Sequence, residues 1–128
     1  MVRGIRGATT VERNDATEIR EATQELLQLI LSENELCTDD LVSAIFTVTQ
    51  DLNADFPASS ARALGWELVP LLCATEIPVP SGLSHCIRVL IHVNTTRCQT
   101  EIRHIFLRNA TALRKDLVRH DSQTEQSI

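Results

Sequence analysis

Cys86-Ile87-Arg88-Val89-Leu90-Ile91-His92-Val93 is the stretch from which the fold class follows. Ile87, Val89, Ile91 and Val93 fall on one side of an extended chain, and Arg88, Leu90 and His92 on the other. Successive strand side chains point to opposite faces, so this alternation predicts a β-strand with one fully apolar face. Leu41 to Thr49 repeats the pattern, with Val42, Ala44, Phe46 and Val48 on one face and Ser43, Thr47 and Thr49 on the other. Residues 2–6 read as a strand, and Leu68 to Cys73 as another. Pro70 marks the latter as an edge or irregular strand, because proline brings no N–H to a ladder. His104 to Leu107 and Ala112 to Arg114 read as extended.

Working outward, Asp15 with Glu18 three residues on forms a capping box. From there Ile19, Ala22, Leu26, Leu29 and Ile30 recur at helical spacing, giving a helix with one apolar stripe that leaves at about Asn34. Thr38-Asp39-Asp40 starts a short helical turn, and Gln99 to Arg103 suits another. Pro57 favours the first turn of a short helix over about 58–64, which Gly65 ends. Pro78, Pro80, Ser81 and Gly82 mark a loop. The sum is an α+β chain: a single domain with one mixed five-stranded sheet and few helices. The expected boundaries are 1–120 for the domain and 121–128 for a polar, mobile tail. Two helices do not cover both faces of such a sheet, so self-association is expected to bury the rest.

The 128 residues carry 43% hydrophobic and 23% charged side chains, as ordinary globular domains do. A net charge of −5 argues against nucleic acid as the main partner. The positive charge is eleven arginines and one lysine, Lys115. No run is long and apolar enough to span a bilayer, and the N-terminus lacks the apolar core of a signal peptide, so no membrane partner and a cytoplasmic location are expected. Cys37, Cys73, Cys86 and Cys98 show no paired spacing and read as reduced thiols.

Several residues are candidates for chemistry. Arg3-Gly4-Ile5-Arg6-Gly7-Ala8-Thr9-Thr10 sets two arginines, each followed by glycine, on the expected N-terminal strand. Guanidinium forks match carboxylates, and glycine permits close approach, so the segment points to an anionic small molecule. Arg88 sits amid apolar neighbours. It is either half of a structural ion pair, an arginine whose head reaches solvent, or a site residue. Glu76 is its candidate partner or a solvated loop carboxylate. Phe56-Pro57-Ala58 with Arg62 reads as a hydrophobic staple with a solvated guanidinium, or as part of a site. His85-Cys86 lacks a carboxylate at a diagnostic spacing, and no metal or nucleophile motif occurs, so no metal and no cofactor are expected.

These segments carry a resemblance. Arg3-Gly4-Ile5-Arg6-Gly7-Ala8-Thr9-Thr10-Val11-Glu12, Asp55-Phe56-Pro57-Ala58, Gly65-Trp66, Val69-Pro70, Cys86-Ile87-Arg88-Val89, Arg103-His104 and Leu113-Arg114 stand in the order and spacing of the monofunctional chorismate mutases of the trimeric α/β type, the AroH class. The resemblance runs from residue 1 to about 118. It implies a homotrimer whose sheets form a pseudo-α/β barrel, with active sites between subunits, and the rearrangement of chorismate to prephenate in phenylalanine and tyrosine biosynthesis. It implies Arg88, Glu76 and Arg6 as catalytic residues, and Cys73, Phe56, Arg62, Phe106, Leu113, Arg114 and Ser59 as substrate-binding ones. Phe56 and Arg62 would come from the neighbouring subunit, and Leu113 and Arg114 from a closing C-terminal segment. Two positions depart from the pattern: Ser59 where some members carry lysine, and Phe106 where many carry tyrosine. The alternative is a non-catalytic sensor that binds chorismate, prephenate or an aromatic amino acid.

Overall fold

A computed structural model describes residues 1–113; Arg114 and the expected tail at 121–128 lie outside the described residues. The strands are β1 (Val2–Thr10), β2 (Leu41–Val48), β3 (Leu71–Thr75), β4 (Cys86–Asn94) and β5 (Ile105–Phe106). The helices are α1 (Ala16–Glu33) and α2 (Pro57–Ala63), with 3-10 turns at Thr38–Asp40, Gln99–Glu101 and Arg108–Ala112. The strands form one mixed sheet in the order β3-β2-β4-β1-β5. Central β4 runs antiparallel to both β1 and β2, while β3 lies parallel to β2 and β5 parallel to β1.

The alternation read from the sequence becomes two unlike faces. Ile5, Ile91 and Ala44 lie side by side across the sheet, as do Val89 and Phe46. They pack with Leu26, Leu27 and Ile30 of α1, with Ala58 and Ala61 of α2, and with Trp66 in one core. On the opposite face the register aligns Arg6, Leu90, Ile45 and Leu72 in one row, and Ala8, Arg88, Thr47 and Ala74 in the next. Leu90, Ile45 and Leu72 are exposed there. Among the described residues, Phe106, Ala110 and Leu113 cover the Cys86 end of this face, packing on Ala8 and Cys86.

Several boundaries differ from the sequence expectation, each for a physical reason. β1 extends past residue 6 to Thr10, because Gly7 to Thr10 pair with Val89 to Cys86. Gly7 allows this close packing: a Cβ there would lie 2.7 Å from Ile30 Cδ1. A register shift between Leu41 and Ser43 turns Leu41 inward and Val42 outward, reversing the expected face for Val42. β3 starts at Leu71 rather than Leu68, which is 96% exposed. Pro70 contributes only its carbonyl, accepting from the Ala44 N–H at 3.0 Å, and two-sided pairing begins one residue later. Ala112 belongs to a 3-10 turn rather than an extended segment, and Gln99–Glu101 is shorter than the helical stretch expected to Arg103.

Capping follows the sequence in part. Asp15 Oδ2 accepts the Glu18 N–H at 3.0 Å, but the Glu18 carboxylate turns to the N–H groups of Glu12 and Arg13, so only half of the box forms. Pro57 occupies the first position of α2, and Gly65 leaves that helix at φ 95°, a conformation that favours glycine.

Candidate active site

Arg88 projects from the middle of β4 onto the uncovered face. Its Nε lies 2.9 Å from Glu76 Oε2; the Glu76 side chain is 13% exposed and that of Arg88 35%. The Nε–H does not point along this line and has no aligned acceptor among the described residues, so charge rather than a directed hydrogen bond holds the pair. Glu76 follows β3 directly, and its N–H donates to the Val48 carbonyl at 2.9 Å, which carries the β2–β3 pairing one residue further. Thr47, opposite Arg88 on β2, donates its hydroxyl to the same Glu76 Oε2 at 2.8 Å.

Arg6 stands one row away on β1, opposite Leu90. Its backbone N–H donates to His104 Nδ1 at 2.9 Å, just before β1 begins to pair with β5. Arg6, Ile45, Thr47, Arg88, Leu90 and Phe106 line a hollow of about 300 Å³. A second hollow of about 300 Å³ lies on the other side of Arg88, walled by Glu76, Ile77, Asp51 and Ser84. Arg88 thus stands between two cavities. The first is lined by two guanidinium groups and no carboxylate, while Glu76 and Asp51 wall the second. The positive, largely apolar first hollow suits an anionic ligand of modest size.

Nucleophilic chemistry finds no support here. Cys86 is fully buried, and its thiol is pushed up to about 11 by burial, against the opposing charge of Arg88. A thiol held protonated in this way is a poor nucleophile. Asp51 is shifted the other way. Burial raises its carboxyl, but the Thr49 hydroxyl and the His85 N–H, which donate to it, outweigh this and leave it below its ordinary value. Among the described residues no three His, Cys, Asp or Glu side chains converge as metal ligands would.

The remaining expected residues divide by location. Phe106 lines the Arg88 hollow, and Leu113 packs against the same end of the face. Phe56 caps α2 and is largely exposed, Arg62 is exposed in the last turn of α2, and Ser59 is half-buried between them. Cys73 lies opposite Phe46 and packs against the helix-side core, so its side chain faces away from Arg88. Cys73 and Phe56 instead wall a third hollow of about 380 Å³ with Asp55, Pro57 and Thr75. Within one chain, then, Arg6, Glu76, Arg88 and Phe106 come together, while Cys73 and Phe56 meet at the third hollow and Ser59 and Arg62 lie further along α2. Arg114 lies outside the described residues. Thr47 and His104 were not expected at the site; the first reads as an outward strand threonine, and the second as a packed strand histidine.

Residues 2–117 match the family described as chorismate mutase type I. The chain is 47% identical over 118 residues to chorismate mutase AroH of Bacillus subtilis (strain 168), covering 91% of this chain and 93% of the relative. This chain belongs to the chorismate mutase type I family. The corresponding enzyme of Thermus thermophilus is 50% identical over 118 residues, covering 91% of this chain and 97% of that protein. A solved chorismate mutase from Clostridium thermocellum superposes with a TM-score of 0.85 at 49% identity, covering 86% of this chain and 98% of that one. The type I chorismate mutase fold therefore accounts for the mixed sheet with helices on one side. No helix among the described residues is long and apolar enough to cross a membrane.

Proposed function

We propose that this chain is a cofactor-free chorismate mutase that converts chorismate to prephenate on the uncovered sheet face. The rearrangement breaks an ether C–O bond and forms a C–C bond within one molecule. It needs no nucleophile, metal or general base. What the protein must supply is a reactive, chair-like conformer and stabilisation of charge as the ether bond breaks. Negative charge grows on the ether oxygen and positive charge on the ring.

The observation that carries this reading is the Arg88–Glu76 pair at 2.9 Å, with Arg6 one row away. One cation and one anion fixed side by side match a transition state that separates charge. Arg88 donates to the ether oxygen and a carboxylate, Glu76 faces the ring and its hydroxyl, and Arg6 binds carboxylate. Phe106 supplies an apolar wall with no hydroxyl. Leu113 and Arg114 belong to the segment that closes the site. Cys73 serves the ring hydroxyl through its backbone, and Ser59 stands at the mouth.

The assembly is a homotrimer. The exposed row of Leu90, Ile45 and Leu72 gives each subunit an apolar face to bury. That packing brings Phe56 and Arg62 of a neighbour toward Arg88. The trimer works in the cytoplasm.

The test is chorismate consumption by purified protein in EDTA, with prephenate identified as product and Arg88→Ala alongside. Turnover lost in the variant supports the reading. Saturable chorismate binding without turnover would replace it with a sensor, and neither binding nor turnover would overturn it.

A further inference from the structure

We propose that Thr47 is a positioning residue for this reaction, acting by fixing the rotamer of Glu76. The proposal rests on the reading above in which Glu76 faces the substrate.

Glu76 lies just beyond the last residue of β3; its backbone N–H is still held by the Val48 carbonyl, but this does not fix the side chain. Among the described residues two groups hold the carboxylate, and both meet the same oxygen. The Thr47 hydroxyl donates to Oε2 at 2.8 Å, and Arg88 Nε lies 2.9 Å from that atom. The arginine contact is not aligned for a hydrogen bond, so it attracts the carboxylate without fixing its direction. The Thr47 hydroxyl is the one directed hydrogen bond to this carboxylate among the described residues. Occupying Oε2 leaves Oε1 to face a ligand.

Thr47 is well placed to act as a fixed support. It is half-buried, it pairs with both Arg88 and Ala74, and β-branching restricts its χ1. It also lines the same hollow as Arg88 and Arg6. Without its hydroxyl, Glu76 would be free to rotate toward Arg88 and form a closed bidentate pair. That arrangement would spend the guanidinium donors that the ether oxygen needs. The cost would fall on the transition state more than on binding.

The test is Thr47→Val, which keeps shape and strand propensity but removes the hydroxyl, alongside Thr47→Ser, which restores it. The expected result is a roughly tenfold or greater fall in kcat with KM close to wild type, in line with losing a hydrogen bond to a charged group. Thr47→Ser should recover to within about threefold, as the donor is retained. In a Glu76→Ala background, Thr47→Val should have no further effect on whatever turnover remains above the uncatalysed rate. Wild-type kcat in Thr47→Val, or an equal loss in both backgrounds, would overturn the proposal. If the wild-type protein turns over no chorismate, the functional reading fails by itself. Crystal structures of wild type and Thr47→Val then decide on Thr47. A displaced Glu76 carboxylate in the variant upholds the positioning role, and an unmoved one overturns it.

Discussion

Asn34 and Arg103 hold each other through a closed pair of hydrogen bonds. The Arg103 N–H donates to Asn34 Oδ1 at 2.8 Å, and Asn34 Nδ2 donates to the Arg103 carbonyl at 2.9 Å. The amide that caps α1 thereby mimics a strand partner for the segment leading into β5, and it is almost fully buried. Asn34→Ala would leave both backbone groups of Arg103 unpaired. Each orphaned group costs about 1–3 kcal/mol, so a loss of about 2–6 kcal/mol is expected in urea unfolding. Asn34→Asp keeps the acceptor but sets a buried carboxylate oxygen against the Ile30 and Arg103 carbonyls at the C-terminus of α1, so it should lose at least as much. Wild-type stability in Asn34→Ala would contradict this account.

Gly7 is a packing requirement. A Cβ there would lie 2.7 Å from Ile30 Cδ1, 3.2 Å from Leu26 Cδ1 and 3.3 Å from Val89 Cγ1. Alanine would relieve unfolded-state entropy by about 0.4–1 kcal/mol. Overpacking costs about 1–3 kcal/mol, and Ile30 and Leu26 are fully buried with nowhere to retreat. The second effect wins, so Gly7→Ala should lower stability by about 1 kcal/mol and Gly7→Val by more. A raised Tm in Gly7→Ala would show that the core yields.

Asp51 gives the fold an acid-sensitive clamp. Its two oxygens accept the His85 N–H at 3.1 and 3.0 Å, which steadies a residue at φ 51° directly before β4. Burial opposes its ionisation, but the Thr49 hydroxyl and the His85 N–H outweigh burial and depress the carboxyl. A depressed folded value means the unfolded chain takes up the proton first. The stabilisation is therefore complete above the unfolded value near pH 4 and drains away as pH falls through the lower folded one. Urea midpoints from pH 6 down to pH 3 should fall more steeply in wild type than in Asp51→Asn. Parallel slopes would remove Asp51 from the acid response.

What the sequence made legible follows from what period-two and helical patterns encode. The faces of β4, the start and apolar stripe of α1, and the turn of α2 at Pro57 and Gly65 are local properties, and all appear where their residues put them. The bulge at Val42 and the start of β3 after Pro70 are not local. They depend on which neighbour each strand finds, and apolar Leu68 and Val69 carry no mark of the turn they occupy. At the site, Arg88 was conspicuous because a charge in an apolar strand needs a reason. Thr47 was not, because an outward threonine is ordinary in a strand, and its role exists only once Glu76 arrives from β3. Phe56 and Arg62 lie apart from Arg88 in one chain, so any joint role depends on a second subunit rather than on the fold of the first.

That separation yields the last prediction. On the proposed reading Arg88 is the donor to the breaking ether bond, so Arg88→Ala should lower kcat by at least about 10²–10³, the usual loss for an oxyanion donor. Arg62 is exposed in the last turn of α2 and does not line the Arg88 hollow, so on the proposed reading it contributes charge to binding rather than to the reacting bond. Arg62→Ala should therefore raise KM with kcat little changed. If one subunit supplies Arg88 and its neighbour Arg62, co-refolding the two variants must regenerate some sites with both arginines intact. The mixture, assayed well below KM, should then exceed the mean of the two separate proteins. Activity equal to that mean would place both arginines in the same subunit's site, and a loss of kcat in Arg62→Ala as large as that in Arg88→Ala would bring Arg62 to the reacting bond itself.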